Sequence, residues 1–142
     1  MHLWKQGLNY GHGTGHGVGF FLRVHEPPQG FATNPSTSRG LGVHEKGMFT
    51  SNEPGFYNEG KYGIRVENLM ICNDSVKTPY GSFLEFESLT LFPISQDLID
   101  FPLLQKDEVE WLNAYHSHVF NQLSPLLSAT EKEWLKEKCK EI

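Results

Sequence analysis

The spacing of hydrophobic positions changes twice along this chain. Val18, Phe20, Leu22 and Val24 alternate with smaller or polar neighbours, which predicts an extended segment over 17–25. A breaker-rich stretch follows, from Pro27-Pro28-Gln-Gly30 through Pro35 to Gly40, and reads as a surface loop. A strand around Met48 to Asn52 is expected to turn through Glu53-Pro54-Gly55 and continue near Phe56 and Tyr57. A second turn at Asn58-Glu-Gly60-Lys61 leads into Tyr62 to Cys72, where Ile64, Val66, Leu69 and Ile71 predict a mostly buried strand in a hairpin-like unit. The cleanest alternation runs from Phe83 to Phe92 and stops at Pro93.

From Asp107 onward the period lengthens. Val109, Leu112, His116, Val119, Phe120 and Leu123 fall three or four residues apart, forming the stripe of an amphipathic helix that Pro125 should end. Ser128-Ala-Thr-Glu131 has the form of a capping box, in which the two side chains satisfy each other's unpaired backbone donors. It opens a terminal helix through Trp134, Leu135 and Lys138. The pattern predicts an α+β fold, with a β-rich part over 1–104 and a helical segment over 105–142.

Composition narrows the classes. With 142 residues and 13% aromatics the chain has the apolar content for one globular domain. A net charge of −5 argues against nucleic acid as a partner, which needs clustered Lys and Arg to displace counterions. No apolar run approaches the roughly 18 residues of a membrane span, so no membrane partner is expected. Cys72 and Cys139 lie far apart with no secretory leader ahead of them, which points to reduced thiols and a cytoplasmic location.

Several residues are candidates for chemistry. His12 and His16 are four apart, but the glycines around them disfavour a helix and suit close approach of the backbone to a ligand or another strand. Two histidines at this spacing fit a metal site or ordinary surface and core positions. Glu53 occupies a tight Asn-Glu-Pro-Gly turn. Glu67 is expected inside an apolar strand, where a carboxylate is costly unless it coordinates a cation or is paired, and Arg65 two positions back offers a pairing. Glu85 and Glu87 form the polar face of their strand. His2, His44, His116 and His118 are expected to be structural or surface residues.

Taken together and in order, His12-Gly-Thr-Gly-His16-Gly-Val-Gly19, Val24-His25-Glu26, Asn52-Glu53-Pro54-Gly55-Phe-Tyr57 and Gly63-Ile64-Arg65-Val66-Glu67-Asn68 resemble the C-terminal half of the pita-bread metallopeptidases. Ser88-Leu-Thr-Leu-Phe-Pro-Ile94 and Glu110-Trp-Leu-Asn113-Ala-Tyr-His116 extend the resemblance to the aminopeptidase P (Xaa-Pro aminopeptidase) group, and away from prolidase and methionine aminopeptidase.

The resemblance implies an antiparallel curved sheet followed by C-terminal helices, and a centre of two divalent ions, Mn²⁺ in expectation, acting on a peptide with proline at its second position. It assigns His16, Glu53 and Glu67 as metal ligands, Glu53 also as the acid/base group, His12 and His25 as substrate-side catalytic histidines, and Arg65 as the group holding a carboxylate in place. The family's two metal-binding aspartates precede the first histidine motif and have no counterpart in Met1 to Tyr10. The expectation is therefore a fragment that binds one ion weakly or none and is inactive alone, with a homodimer as one way to cover its apolar strands. The alternative is a non-catalytic peptide-binding or assembly module on the same scaffold.

Overall fold

Turn chemistry and alternation place strands where the first period changes. The structure, a computed structural model, describes residues 2–32 and 42–142, so the expected loop at 33–40 lies outside the described residues. The chain divides into two compact units, Met1–Thr90 and Leu91–Ile142.

In the first unit a short helix α1 (His2–Lys5) precedes strands β1 (Gly15–His16), β2 (Gly30–Phe31), β3 (Phe49–Asn52), β4 (Gly55–Asn58), β5 (Tyr62–Arg65), β6 (Asn68–Thr78) and β7 (Gly81–Ser88). All pairings are antiparallel: β1 with β2, β4 with β5, and a three-stranded sheet in the order β3-β6-β7. In register, Ser51 faces Leu69 and Tyr57 faces Gly63. A bridge between Gly17 and Thr50 ties the end of β1 to β3.

Three expectations are corrected here. Residues 17–25 are not a strand but a loop folded back on itself, closed by hydrogen bonds from Gly19 N–H to Arg23 O (2.9 Å) and from Glu26 N–H to Gly17 O (2.8 Å). The glycines permit this, since a Cβ on Gly17 would lie 2.0 Å from the Glu26 carbonyl oxygen and one on Gly19 2.0 Å from its carboxylate. Phe21 and Leu22 take left-handed backbone, and with Phe20 they stand exposed, so their alternation reports no sheet face.

The strand expected over Tyr62 to Cys72 breaks at Val66 and Glu67, because the chain changes partner from β4 to β3 and β7. Its first part, β5, is exposed instead of buried, and Glu67 lies exposed in the break, so burial exacts no penalty from its carboxylate. The alternating strand of Phe83 to Phe92 begins at Gly81 and ends at Ser88, where the ladder with β6 closes on Met70.

The second unit is helical, with α2 (Lys106–Leu123) and α3 (Ala129–Lys138). Tyr115, Val119 and Leu135 are buried together, with Leu91, Ile94, Phe120, Leu123, Leu127 and Cys139 packed around them. Each such aliphatic side chain removed from water contributes about 1.5–3 kcal/mol. Pro125 lies in a 3₁₀ turn directly after α2. The capping box at α3 forms as expected, with Ser128 N–H donating to Glu131 Oε2 at 2.9 Å. A second one at Gln105 and Glu108 opens α2 and escaped the sequence reading, because glutamine is a less familiar cap than serine. His116 is structural: fully buried, it accepts the Ile94 N–H on Nε2 at 3.1 Å, and burial holds its pKa below the ordinary value.

Candidate functional site

Backbone contacts with no room for a side chain bring β1 against β3. A Cβ on Gly15 would lie 1.9 Å from the Ser51 carbonyl oxygen, so of the two glycines between the histidines Gly15 serves close strand approach. Glu53 N–H donates to Thr14 O at 2.7 Å, and His16 N–H donates to Ser51 Oγ at 3.0 Å. These bonds carry Glu53, at the end of β3, under the side chain of His16.

There His16 Nε2 stands 3.1 Å from Glu53 Oε1. The other ring nitrogen, Nδ1, is 3.0 Å from Gly17 O, and because a carbonyl only accepts, Nδ1 carries the hydrogen. Nε2 is thereby left with its lone pair toward the carboxylate whenever the ring is neutral. Glu53 is nearly buried, at 9% exposure. Ser51 Oγ donates to its Oε1 at 3.0 Å, and Arg65 Nη1 pairs with its Oε2 at 3.3 Å. A buried carboxylate is tolerable with such partners.

His25 is exposed, yet its ring centroid lies 4.2 Å from that of His16. His12 donates from Nδ1 to Gly13 O at 2.8 Å and meets the Tyr57 hydroxyl with Nε2 at 2.7 Å. Arg65 Nε donates to the same hydroxyl at 2.8 Å. Of the expected site residues, then, His16, Glu53, Arg65, His12 and His25 lie in one neighbourhood. The ion pair of Arg65 is with Glu53, where sequence spacing had offered Glu67. The guanidinium is held above its ordinary pKa first by the bond to Tyr57, with Glu53 and Glu67 adding smaller effects. Glu67 is not gathered with His16 and Glu53: among the described residues, no group of three or more His, Cys, Asp or Glu is placed to hold a metal ion.

Two participants carry no role in the sequence pattern. Tyr57 shows there only as part of its motif, and Ser51 gives no sequence signal, since a serine on a strand bonds whatever the fold brings to it. Glu85 and Glu87 accept cross-strand bonds from Ser75 (2.9 Å) and Asn73 (2.8 Å). His44 stacks on Phe31 (centroids 5.0 Å apart) and meets Phe86 edge-on, beside a cavity of about 630 Å³ that also touches Thr14, Asn52 and Met70.

The donor set suits a hard or borderline divalent cation. One imidazole nitrogen, oriented by its partner's bond to a backbone carbonyl, and one carboxylate oxygen converge, and neither is a thiolate. They fit one side of a single ion's shell and no more, since an octahedral ion such as Mn²⁺ takes about six ligands.

Comparisons with known proteins bear on both units. Residues 1–74 match the family model of metallopeptidase family M24, and residues 82–142 match that of the C-terminal region of peptidase M24. A probable Xaa-Pro aminopeptidase P of Laccaria bicolor is 43% identical over 96% of the chain, and aminopeptidase P2 of Arabidopsis thaliana is 47% identical over 94%. The chain covers 22% and 19% of those two proteins, so it spans about a fifth of the length of the curated relatives it matches. Among solved structures, an X-prolyl aminopeptidase from Caenorhabditis elegans, described as a cytosolic enzyme with a di-nuclear active site, superposes with a TM-score of 0.85 at 40% identity, covering 99% of this chain and 23% of that one. The fold is that of this neighbour: antiparallel sheets followed by helices, the α+β pita-bread arrangement.

Proposed function

Because the chain belongs to metallopeptidase family M24, we propose that it supplies the imidazole-and-carboxylate side of a dinuclear Xaa-Pro aminopeptidase centre. The observation that carries this reading is the convergence of His16 Nε2 and Glu53 Oε1 at 3.1 Å, with His16 Nδ1 committed to a backbone carbonyl. In it His16, Glu53 and Glu67 are ligands, Glu67 reaching the centre from the break between β5 and β6 once the rest of the shell is present. When bound, two divalent ions, Mn²⁺ in this reading, would supply Lewis acidity and a water of lowered pKa.

The chain's own groups do the rest. Glu53 Oε1, which faces His16, is the oxygen that takes up and returns a proton, while Arg65 at 3.3 Å from Oε2 holds the carboxylate still. His12 and His25 hold the peptide carbonyl and the proline-side backbone of a substrate with proline at its second position. A location in the cytoplasm is extended from the Caenorhabditis elegans neighbour, and no helix of the described residues is long and apolar enough to cross a membrane.

As a polypeptide of these 142 residues, the chain presents two converging donors, which is too few for a dinuclear centre. We therefore expect it to be inactive alone and to hold at most one ion weakly. Its exposed apolar strand residues, Phe49, Ile64, Phe83 and Phe86 among them, favour self-association as a homodimer. The non-catalytic reading, a peptide-binding or assembly module, is favoured by one observation: in the structure the Glu53 carboxylate already has protein partners on both oxygens, Ser51 Oγ and the Arg65 guanidinium. The test is release of the N-terminal residue from an Xaa-Pro peptide by the purified chain with Mn²⁺, beside Glu53→Gln. Turnover that Glu53→Gln abolishes would mean that the chain completes its own centre, and the inactive-alone reading would fall.

A further inference from the structure

Tyr57 lies flat on a bed of glycine. A Cβ on Gly55 would lie 2.5 Å from its hydroxyl oxygen, and one on Gly63, its cross-strand partner, 2.8 Å from its ring. Any other residue at either position would push the ring away, so β4 and β5 are built to receive it. The ring held there delivers its hydroxyl to two groups, His12 Nε2 at 2.7 Å and Arg65 Nε at 2.8 Å.

We propose that Tyr57 is a positioning residue that fixes the tautomer of His12. Arg65 can only donate, so the Tyr57 oxygen accepts from it and turns its own hydrogen to His12 Nε2. His12 Nδ1 faces Gly13 O, which can only accept, so Nδ1 carries the ring hydrogen. Arg65 Nη2, at 3.5 Å from Nε2, adds a second donor on the same side. The neutral Nδ1–H tautomer satisfies every one of these contacts. The Nε2–H tautomer sets two acceptors against each other at Gly13, and the imidazolium sets its Nε2–H against the Arg65 guanidinium.

Histidine in solution favours the Nε2–H tautomer, so the bonds on both sides of the ring hold it in the other form. The consequence, which rests on the proposed substrate role of His12, is that His12 presents an acceptor to the site. A substrate group that donates a hydrogen, such as a peptide N–H, is the kind that can take over from Tyr57.

The test is the ¹⁵N spectrum of the imidazoles in the 142-residue chain at pH 8, without metal or substrate. In the unsubstituted chain His12 Nδ1 should appear as the protonated nitrogen and Nε2 as the bare one; the reverse overturns the proposal at once. In Tyr57→Phe, which keeps the ring on its glycine bed, the Nε2–H form of His12 should rise severalfold while the His16 signals stay in place. An unchanged His12 spectrum in a folded Tyr57→Phe chain would assign the tautomer to Gly13 alone and overturn the proposal. Neither readout depends on peptidase activity, so a failed aminopeptidase reading leaves this result interpretable.

Discussion

Replacing Glu53 by glutamine separates the carboxylate's charge from its shape. In the structure Oε1 accepts from Ser51 Oγ and faces His16 Nε2, while Oε2 faces Arg65. A glutamine can keep its oxygen toward Arg65 and donate its amide N–H to the His16 lone pair, with the Ser51 hydroxyl turning to accept. Hydrogen bonds are exchanged and none of the buried groups is stranded, so the fold should lose no more than about 1 kcal/mol, the net scale of one such bond. Cation binding should respond far more strongly, because the amide caps the lone pair of His16 and removes the negative charge, taking both converging donors at once. Loss of a group that merely orients a ligand costs roughly 10- to 100-fold in metal affinity. Losing two ligands should exceed that, more than about 100-fold, or upward of about 2.7 kcal/mol. The parent chain, with a partial shell, should bind with a dissociation constant on the order of a millimolar. Titration of Mn²⁺ followed by the electron paramagnetic resonance of the free ion reads both chains directly. Equal uptake by the parent and Glu53→Gln, at unchanged thermal stability, would refute the assignment of this pair as ligands.

Three further outcomes follow from the packing. Gly15→Ala should weaken Mn²⁺ uptake and destabilise the first unit by about 1–3 kcal/mol, since a Cβ 1.9 Å from the Ser51 carbonyl forces β1 off β3; unaltered uptake and denaturation midpoint would show that the strands can part freely. Leu135→Ala, at a position 1% exposed, should cost the helical unit about 2–5 kcal/mol in urea denaturation, and a loss under 1 kcal/mol would mean that this core is loose. The buried His116 is neutral in the fold with its pKa below 6.5, whereas the unfolded chain takes up a proton near 6.5, so stability is full above that pH and falls as pH drops below it. Hydrogen exchange in α2 should accelerate on acidification and do so less in His116→Gln; exchange independent of pH between 7 and 5, after correction for intrinsic rates, would contradict this. His44, also lowered by burial, adds dependence of the same sign in the first unit.

Much of the fold could be read from residue spacing. The long period after Asp107 and the Ser128–Glu131 box gave both helices, because helix burial repeats on one face and caps are local. The turns at Glu53-Pro54-Gly55 and at Gly60 gave the β4–β5 hairpin for the same reason. Alternation failed at Phe20, Phe21 and Leu22, where apolar residues decorate a loop whose shape is set by Gly17 and Gly19 meeting Glu26, a contact seven to nine residues away. It failed again at Glu67, since a change of strand partner leaves no mark in hydropathy. At the site, the histidine and glutamate motifs were legible as residues. The bonds that orient them were not, because Ser51, Tyr57 and the Arg65–Glu53 pair depend on β1, β3, β4 and β5 meeting in space.

The measurement that tests the central claim most directly is complementation. The chain would be mixed with a polypeptide from a full-length Xaa-Pro aminopeptidase that carries the strands before the first histidine motif, including the two aspartates, and release of the N-terminal residue from an Xaa-Pro peptide would be followed with Mn²⁺ present. The account predicts turnover from the mixture, none from either part alone, and none when the chain carries His16→Ala. A mixture that forms a stable complex, binds Mn²⁺ and still releases nothing would contradict the claim that this chain brings the ligand side of the centre.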